Sequence, residues 1–155
     1  MVKLEGGREI IDQVRALVDA GIEVCGHLGL QPQSVREYGG YKVQGRAAGD
    51  AARIFEDAGL LAEAGVKMVV LECIPHRLAA RITGGIPIPT IGIGAGVDCD
   101  GQVLVWQDMA GMRRGQLPRF VKQYADVRTV LHDAARAFAA DVLEGDYPGE
   151  EHTYR

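Results

Sequence analysis

Residues 51–93 read AARIFEDAGLLAEAGVKMVVLECIPHRLAARITGGIPIPTIGI, and this stretch decides the fold. Its first part, 51–64, places Ile54, Ala58 and Leu61 on one face at helical spacing. Gly65 then stops that helix, as a residue tolerant of left-handed backbone does. Met68-Val-Val-Leu71 follows as a nearly continuous apolar strand. Pro75 suits the first turn of another helix, reaching about Ile82. Pro87 and Pro89 lead into a strand over 90–93. Helices alternating with strands that look buried on both faces argue for a parallel α/β sheet.

The same alternation continues outward in both directions. Ile10, Ile11, Val14, Leu17 and Val18 recur at helical spacing, Gly21 ends that helix, and a strand is expected over 22–28. The opening run, 2–5, adds a strand at the start, and 103–106 is the next apolar run after 90–93. A last helix puts Leu131, Ala134, Phe138 and Val142 on one face. About five strands are therefore expected, in one domain over 1–155. The Pro-, Gly- and Gln-rich stretch 31–46 follows a strand, where such a stretch is usually a functional loop.

Composition bounds the function classes. The chain has 155 residues, 47% of them apolar and 25% charged, as in an ordinary globular protein. The net charge of -4 lacks the basic excess of a nucleic-acid footprint. No apolar run approaches the ~18–20 residues that span a bilayer, and the first residues lack a secretory pattern. Cys25, Cys73 and Cys99 are odd in number and widely spaced, which fits neither a disulfide framework nor a CxxC zinc site. Reduced thiols in a cytoplasm are expected.

In α/β folds, functional groups gather at the carboxyl ends of the strands. Lys3 and Glu5 stand two apart and share one face of the first strand, with Val2 and Leu4 on the other. Such a pattern belongs either to a charged interior face or to a frayed, solvated strand. Glu72 ends the apolar run 68–71, so it is a partly buried acid at a strand mouth or a loop carboxylate. Burial there makes a candidate general base. His27 ends another strand, where a lone histidine is more often structural than catalytic. Asp98, Cys99 and Asp100 lie in a turn-like context and read as turn formers rather than a metal site. Gly94-Ala-Gly96 lacks the following Lys-Ser/Thr of a P-loop and reads as a tight strand-to-helix turn.

Several segments together carry a resemblance. Val2-Lys-Leu-Glu-Gly-Gly7, Gly26-His-Leu-Gly-Leu-Gln-Pro-Gln-Ser34 and Gly39-Gly-Tyr-Lys-Val-Gln-Gly-Arg46 resemble motifs of the ketopantoate hydroxymethyltransferases. So do Leu71-Glu-Cys-Ile-Pro75, Ile88-Pro-Thr-Ile-Gly-Ile-Gly-Ala-Gly96 and Cys99-Asp-Gly-Gln-Val-Leu-Val105. Phe120-Val-Lys-Gln-Tyr-Ala-Asp126 and Pro148-Gly-Glu-Glu-His152 complete the series, in the family's order and spacing. Gln31 stands where threonine is expected, and Val97 where proline is expected.

The resemblance implies a (β/α)8 TIM barrel of which this chain is the C-terminal portion, with about the last five strands. It implies transfer of a hydroxymethyl group from 5,10-methylenetetrahydrofolate to 3-methyl-2-oxobutanoate, giving 2-dehydropantoate, with Mg2+ as cofactor. By the same resemblance Lys3 contacts the keto acid, Glu5 is a magnesium ligand, Glu72 is the proton acceptor and His27 lies near the substrate. Two metal-binding aspartates and a serine belong to the three βα units of the family's N-terminal half, which have no counterpart here. The chain is then a fragment, a subunit of a split enzyme with a separate N-terminal half-barrel, or a non-catalytic half-barrel. Complete members form homo-oligomers, often decamers. Neither nucleic acid nor membrane is expected as a partner.

Overall fold

The apolar runs become a single parallel sheet in a computed structural model that describes residues 1–36 and 39–155. Its strands are β1 (Val2–Glu5), β2 (Val24–Gly29), β3 (Met68–Glu72), β4 (Thr90–Ile93) and β5 (Gly101–Gln102). They lie in the order β1-β2-β3-β4-β5, each parallel to its neighbour. Helices α1 (Ile11–Asp19), α2 (Ala48–Glu63) and α3 (His76–Gly85) carry the chain from one strand to the next across the first four. Parallel strands need such crossovers, because the chain must return to the same end of the sheet.

Side-chain alternation sorts the sheet into two faces. Val24, Leu28, Val69 and Leu71 join Val14, Ile54, Ala58, Leu61, Leu78, Ala79 and Ile82 in one buried apolar cluster, which is the sheet–helix core. Gly26 lies on that face too, because a Cβ there would meet Leu61 Cδ1 at 3.0 Å. With period two, Cys25, His27, Val70 and Glu72 therefore point the other way. The expected face of α2, with Ile54, Ala58 and Leu61, is buried as the spacing required. Arg8 ties the turn after β1 to α2: its Nε donates to Asp57 Oδ1 at 2.7 Å and its Nη2 to Glu56 Oε2 at 3.0 Å.

Two expectations are corrected. The apolar run 103–106 is not a strand: β5 ends at Gln102, and Trp106 opens the short helix α4 (Trp106–Met109). Val103 still donates its N–H to Gly92 O at 3.0 Å, so pairing stops one residue into the run. The turn at 94–96 leads to β5 and not to a helix. There Asp100 Oδ2 accepts from Thr90 N at 2.8 Å, tying the loop back to the start of β4. Asp100 thus holds the turn. Of the loop expected over 31–46, Glu37 and Tyr38 lie outside the described residues.

The chain divides into two compact units, Met1–Val103 and Leu104–Arg155. The first holds the sheet and α1–α3. The second holds α4 and α5 (Val127–Glu144). Within it, Tyr124 N donates to Met109 O at 2.8 Å and Val127 N to Ala110 O at 2.9 Å, bringing the start of α5 beside α4. Asp126 caps α5 by accepting from Thr129 N at 3.1 Å, and Gly145, at φ 82, ends it in left-handed backbone. Leu131, Ala134, Phe138 and Val142 do share the expected face, yet α5 contains no buried residue. Among the described residues no helix is long and apolar enough to cross a membrane.

Candidate active site

Strand register brings the four singled-out side chains to one end of one face. Lys3 pairs with Cys25, Glu5 with His27, His27 with Val70, and Gly29 with Glu72. Residues at i and i+2 of a strand share a face. Lys3, Glu5, His27 and Glu72 therefore all project from the side opposite the helices, at the carboxyl ends of β1, β2 and β3. The first strand is solvated at its start, where Val2 and Lys3 are exposed, and half-buried at its end, where the Glu5 side chain is only 12% exposed; Glu72, at the end of β3, is 14% exposed.

The four groups form a chain of contacts. Lys3 Nζ lies 3.1 Å from His27 Nδ1 and 3.9 Å from Glu5 Oε1. His27 Nε2 lies 3.1 Å from Glu72 Oε2. Two carboxylates and a cation thus surround an imidazole that is 1% exposed. Lys3 remains half-exposed, so its ammonium reaches solvent or a ligand while its stem lies on the sheet. The arrangement sets a cation at the rim and two carboxylates deeper in.

Backbone contacts that pattern reading did not find hold the two glutamates. The 3-10 turn Pro32–Ser34 places Gln33 N to donate to Glu5 Oε2 at 3.1 Å. At Gly29, φ is +94° and a Cβ would stand 2.2 Å from Glu72 O, so only glycine lets β2 end this close to β3. Leu30 N then donates to that same carbonyl at 2.8 Å. On the other side of Glu72, Cys73 takes φ 49, the one non-glycine with positive φ among the described residues. Its N–H donates to Ile93 O and its carbonyl accepts from Gln44 N, both at 2.9 Å. The strand therefore stops sharply after Glu72, which presents that carboxylate at the sheet's end. The Gly-Leu-Gln-Pro run after His27 was the available signal for the Gln33 turn. Nothing local distinguishes Cys73.

Burial separates two of the three thiols from the chemistry. Burial, with the neighbouring charge of Glu72, pushes the Cys73 thiol up to about 11. Burial also raises Cys25, offset in part by the Lys3 ammonium. All three cysteines are free, and thiols kept protonated as Cys25 and Cys73 are make poor nucleophiles. Beside the cluster, a cleft of about 440 Å³ runs between the end of β2 and α2, with Glu5, Gln31, Ser34, Gln44 and Arg53 among its walls. Glu5 is the member of the four that lines it.

Among the described residues no group of three or more His, Cys, Asp or Glu side chains could hold an ion. Glu5 also spends one oxygen on Gln33 N. By themselves these residues do not make a magnesium site.

Comparison with known proteins matches the family model described as ketopantoate hydroxymethyltransferase to residues 1–150. Similar proteins are named 3-methyl-2-oxobutanoate hydroxymethyltransferase. The one from Acidothermus cellulolyticus is 60% identical over 99% of this chain and 56% of its own length. Those from Nocardioides sp. and Carboxydothermus hydrogenoformans are 56% and 54% identical, again over 99% of this chain and over 52% and 55% of their own lengths. The chain spans about half the length of the curated relatives it matches. With the match running through β1, the site strands and α5, the chain belongs to the ketopantoate hydroxymethyltransferase family.

Proposed function

We propose that this chain carries the base and the keto-acid contact of a 3-methyl-2-oxobutanoate hydroxymethyltransferase, the activity for which its relatives are named. The observation that carries this reading is the single-face placement of Lys3, Glu5, His27 and Glu72 across β1–β3. The sheet is then an arc of a (β/α)8 barrel, and that face its interior; five parallel strands in sequential order support this. The reaction moves a hydroxymethyl group from 5,10-methylenetetrahydrofolate to 3-methyl-2-oxobutanoate and yields 2-dehydropantoate.

The residues divide the first chemical step between them. The C3 proton of the keto acid lies beside a carbonyl, and Glu72 removes it as a positioned carboxylate at a strand mouth. The electron pair passes into the enolate, whose negative charge the Lys3 ammonium offsets. The enolate carbon then bonds to the one-carbon unit of the folate, whose two carbon–nitrogen bonds break; water supplies the hydroxyl, and tetrahydrofolate leaves with the proton taken from C3 and one from water on its nitrogens. Glu5 would be one ligand of the magnesium ion that the family resemblance implies, and the described residues alone do not complete its site. Partners in this reading are the keto acid, the folate and a barrel segment that completes the site, with assembly of complete barrels into a homo-oligomer. Three free cysteines suit a cytoplasmic location.

The test is exchange of the C3 proton of 3-methyl-2-oxobutanoate for deuterium, followed by NMR with Mg2+ present. The chain is combined with a separately expressed N-terminal segment of a full-length relative. Exchange that disappears in Glu72→Gln is the expected result. Exchange that survives Glu72→Gln moves the base elsewhere. No exchange despite demonstrated association of the two pieces leaves a non-catalytic assembly module.

A further inference from the structure

His27 is the least exposed ionisable side chain in the cluster, at 1%, and the mechanism above gives it no proton to move. Its surroundings decide which of its nitrogens carries hydrogen. Nδ1 lies 3.1 Å from Lys3 Nζ. An ammonium has three donors and no lone pair, so a nitrogen at that distance must accept. Glu5 Oε1 stands 3.7 Å from the same Nδ1, beyond hydrogen-bond reach, and does not compete for a proton there. The ring's hydrogen is therefore on Nε2. That atom is the one buried side-chain nitrogen or oxygen without a hydrogen-bond partner among the described residues. It nevertheless stands 3.1 Å from Glu72 Oε2. The two atoms are within hydrogen-bond distance without meeting hydrogen-bond geometry, so the bond forms only with a reorientation of the Glu72 carboxylate.

We infer that His27 is a positioning residue for Glu72: Lys3 keeps its Nδ1 an acceptor, so that its N–H, on Nε2, faces Glu72 Oε2 at 3.1 Å, orients that oxygen and leaves Oε1 as the base. The inference rests on the assignment of Glu72 as proton acceptor, and it moves His27 from substrate contact to orientation of the base. The ring, only 1% exposed, is closely packed. Its backbone is fixed on both sides, by pairing to Glu5 and Val70 and by Gly6 N donating to His27 O at 3.2 Å. A single donor on one carboxylate oxygen also leaves the other oxygen's lone pairs unengaged, as a base requires. Lys3 then has two effects: it offsets substrate charge directly, and it sets, through the ring, which oxygen of Glu72 is free.

The tautomer is read without any turnover, which separates failure of this inference from failure of the proposed reaction. The chain labelled with 15N at its four histidines, His27, His76, His132 and His152, is studied near neutral pH by long-range proton–nitrogen correlation. His27→Gln assigns the His27 signals. The expected pattern is one neutral ring, protonated at Nε2 and bare at Nδ1, losing that preference in Lys3→Met. Protonation at Nδ1, at both nitrogens, or a solution-like average of tautomers overturns the inference. A kinetic arm applies to the completed enzyme. His27→Leu, which fills the space without a donor, is expected to lose about 100-fold in kcat with little change in KM. His27→Gln, whose amide N–H reaches where Nε2 sits, should recover much of that loss. A loss carried by KM, or no rescue by Gln, assigns His27 to the substrate instead.

Discussion

Helices α2 and α5 present the same signal in sequence and meet different fates. Both carry an apolar stripe at helical spacing: Ile54, Ala58 and Leu61 on α2, and Leu131, Ala134, Phe138 and Val142 on α5. The α2 stripe is buried against β2 and its neighbours, whereas every residue of the α5 stripe stays exposed. Periodicity states which residues share a face. It does not state what covers that face, because cover comes from residues distant in sequence. In the Met1–Val103 unit the sheet supplies it; in the Leu104–Arg155 unit the partners of α5 are few, the Phe138 ring meeting Tyr147 at 5.3 Å between centroids.

The largest effect expected from this difference is on stability. Leu71 is fully buried in the sheet–helix core, and Leu71→Ala should cost about 2–5 kcal/mol through lost transfer energy and the cavity left behind. Leu131→Ala, on the exposed stripe, should stay within about 0.5 kcal/mol. Urea unfolding of the two variants beside the parent measures both. Equal losses would break the comparison, since the α5 stripe would then be covered in solution.

Cys73 gives the next largest effect and sharpens the picture of the unit that carries the site. Its left-handed backbone, φ 49, is strained for any residue with a Cβ. Cys73→Val, with its branched Cβ, should be less stable than Cys73→Gly by about 1–2 kcal/mol. If the two match in urea unfolding, the sharp end of β3 does not depend on that geometry. The thiol adds a pH signature. Its value in the folded chain, about 11, stands above the ordinary 9.0. The native state therefore keeps a proton that the unfolded chain loses first. Stability from this source is full below about 9 and falls as pH rises through about 11. Cys73→Ala should flatten that alkaline decline, and alkylation of the native thiol should lag that of the unfolded chain throughout the same window.

Much of the first unit was legible because its signals are local. Period-two alternation puts Lys3 and Glu5 on one face, and the apolar run before Glu72 puts that acid at a strand end; β1 and β3 form as read. What joins them was not legible. The contact of His27 with both Lys3 and Glu72 depends on the register between strands 24 and 45 residues apart. The hold of Gln33 N on Glu5 depends on a turn whose target lies 28 residues earlier. The run Val103-Leu-Val-Trp106 misled for the converse reason. Its β-rich residues favour a strand, but pairing with β4 lapses after Val103 and a helical turn takes over. Local preference yields where no neighbouring strand accepts it.

The smallest effect falls at the start of α5, and it tests whether that helix is held by its own ends. Asp126 accepts from Thr129 N at 3.1 Å and from Thr129 Oγ1 at 2.7 Å. These bonds, the side-chain one first, hold the Asp126 carboxyl below its ordinary value. A depressed value in the folded chain means that the stabilisation is present above the unfolded carboxyl's pKa and is lost as pH falls through the lower, folded one. The Thr129 amide signal should therefore shift on acidification, with its midpoint below the usual aspartate range. Asp126→Asn keeps an oxygen acceptor for the cap but cannot titrate, so its Thr129 amide should stay still over the same range. Asp126→Ala removes the acceptor and should increase amide exchange in the first turn at every pH. If exchange there is unchanged in Asp126→Ala, the turn is held by something other than its cap. Cover on the α5 stripe is then the remaining source of order, the same outcome that equal losses in Leu71→Ala and Leu131→Ala would indicate.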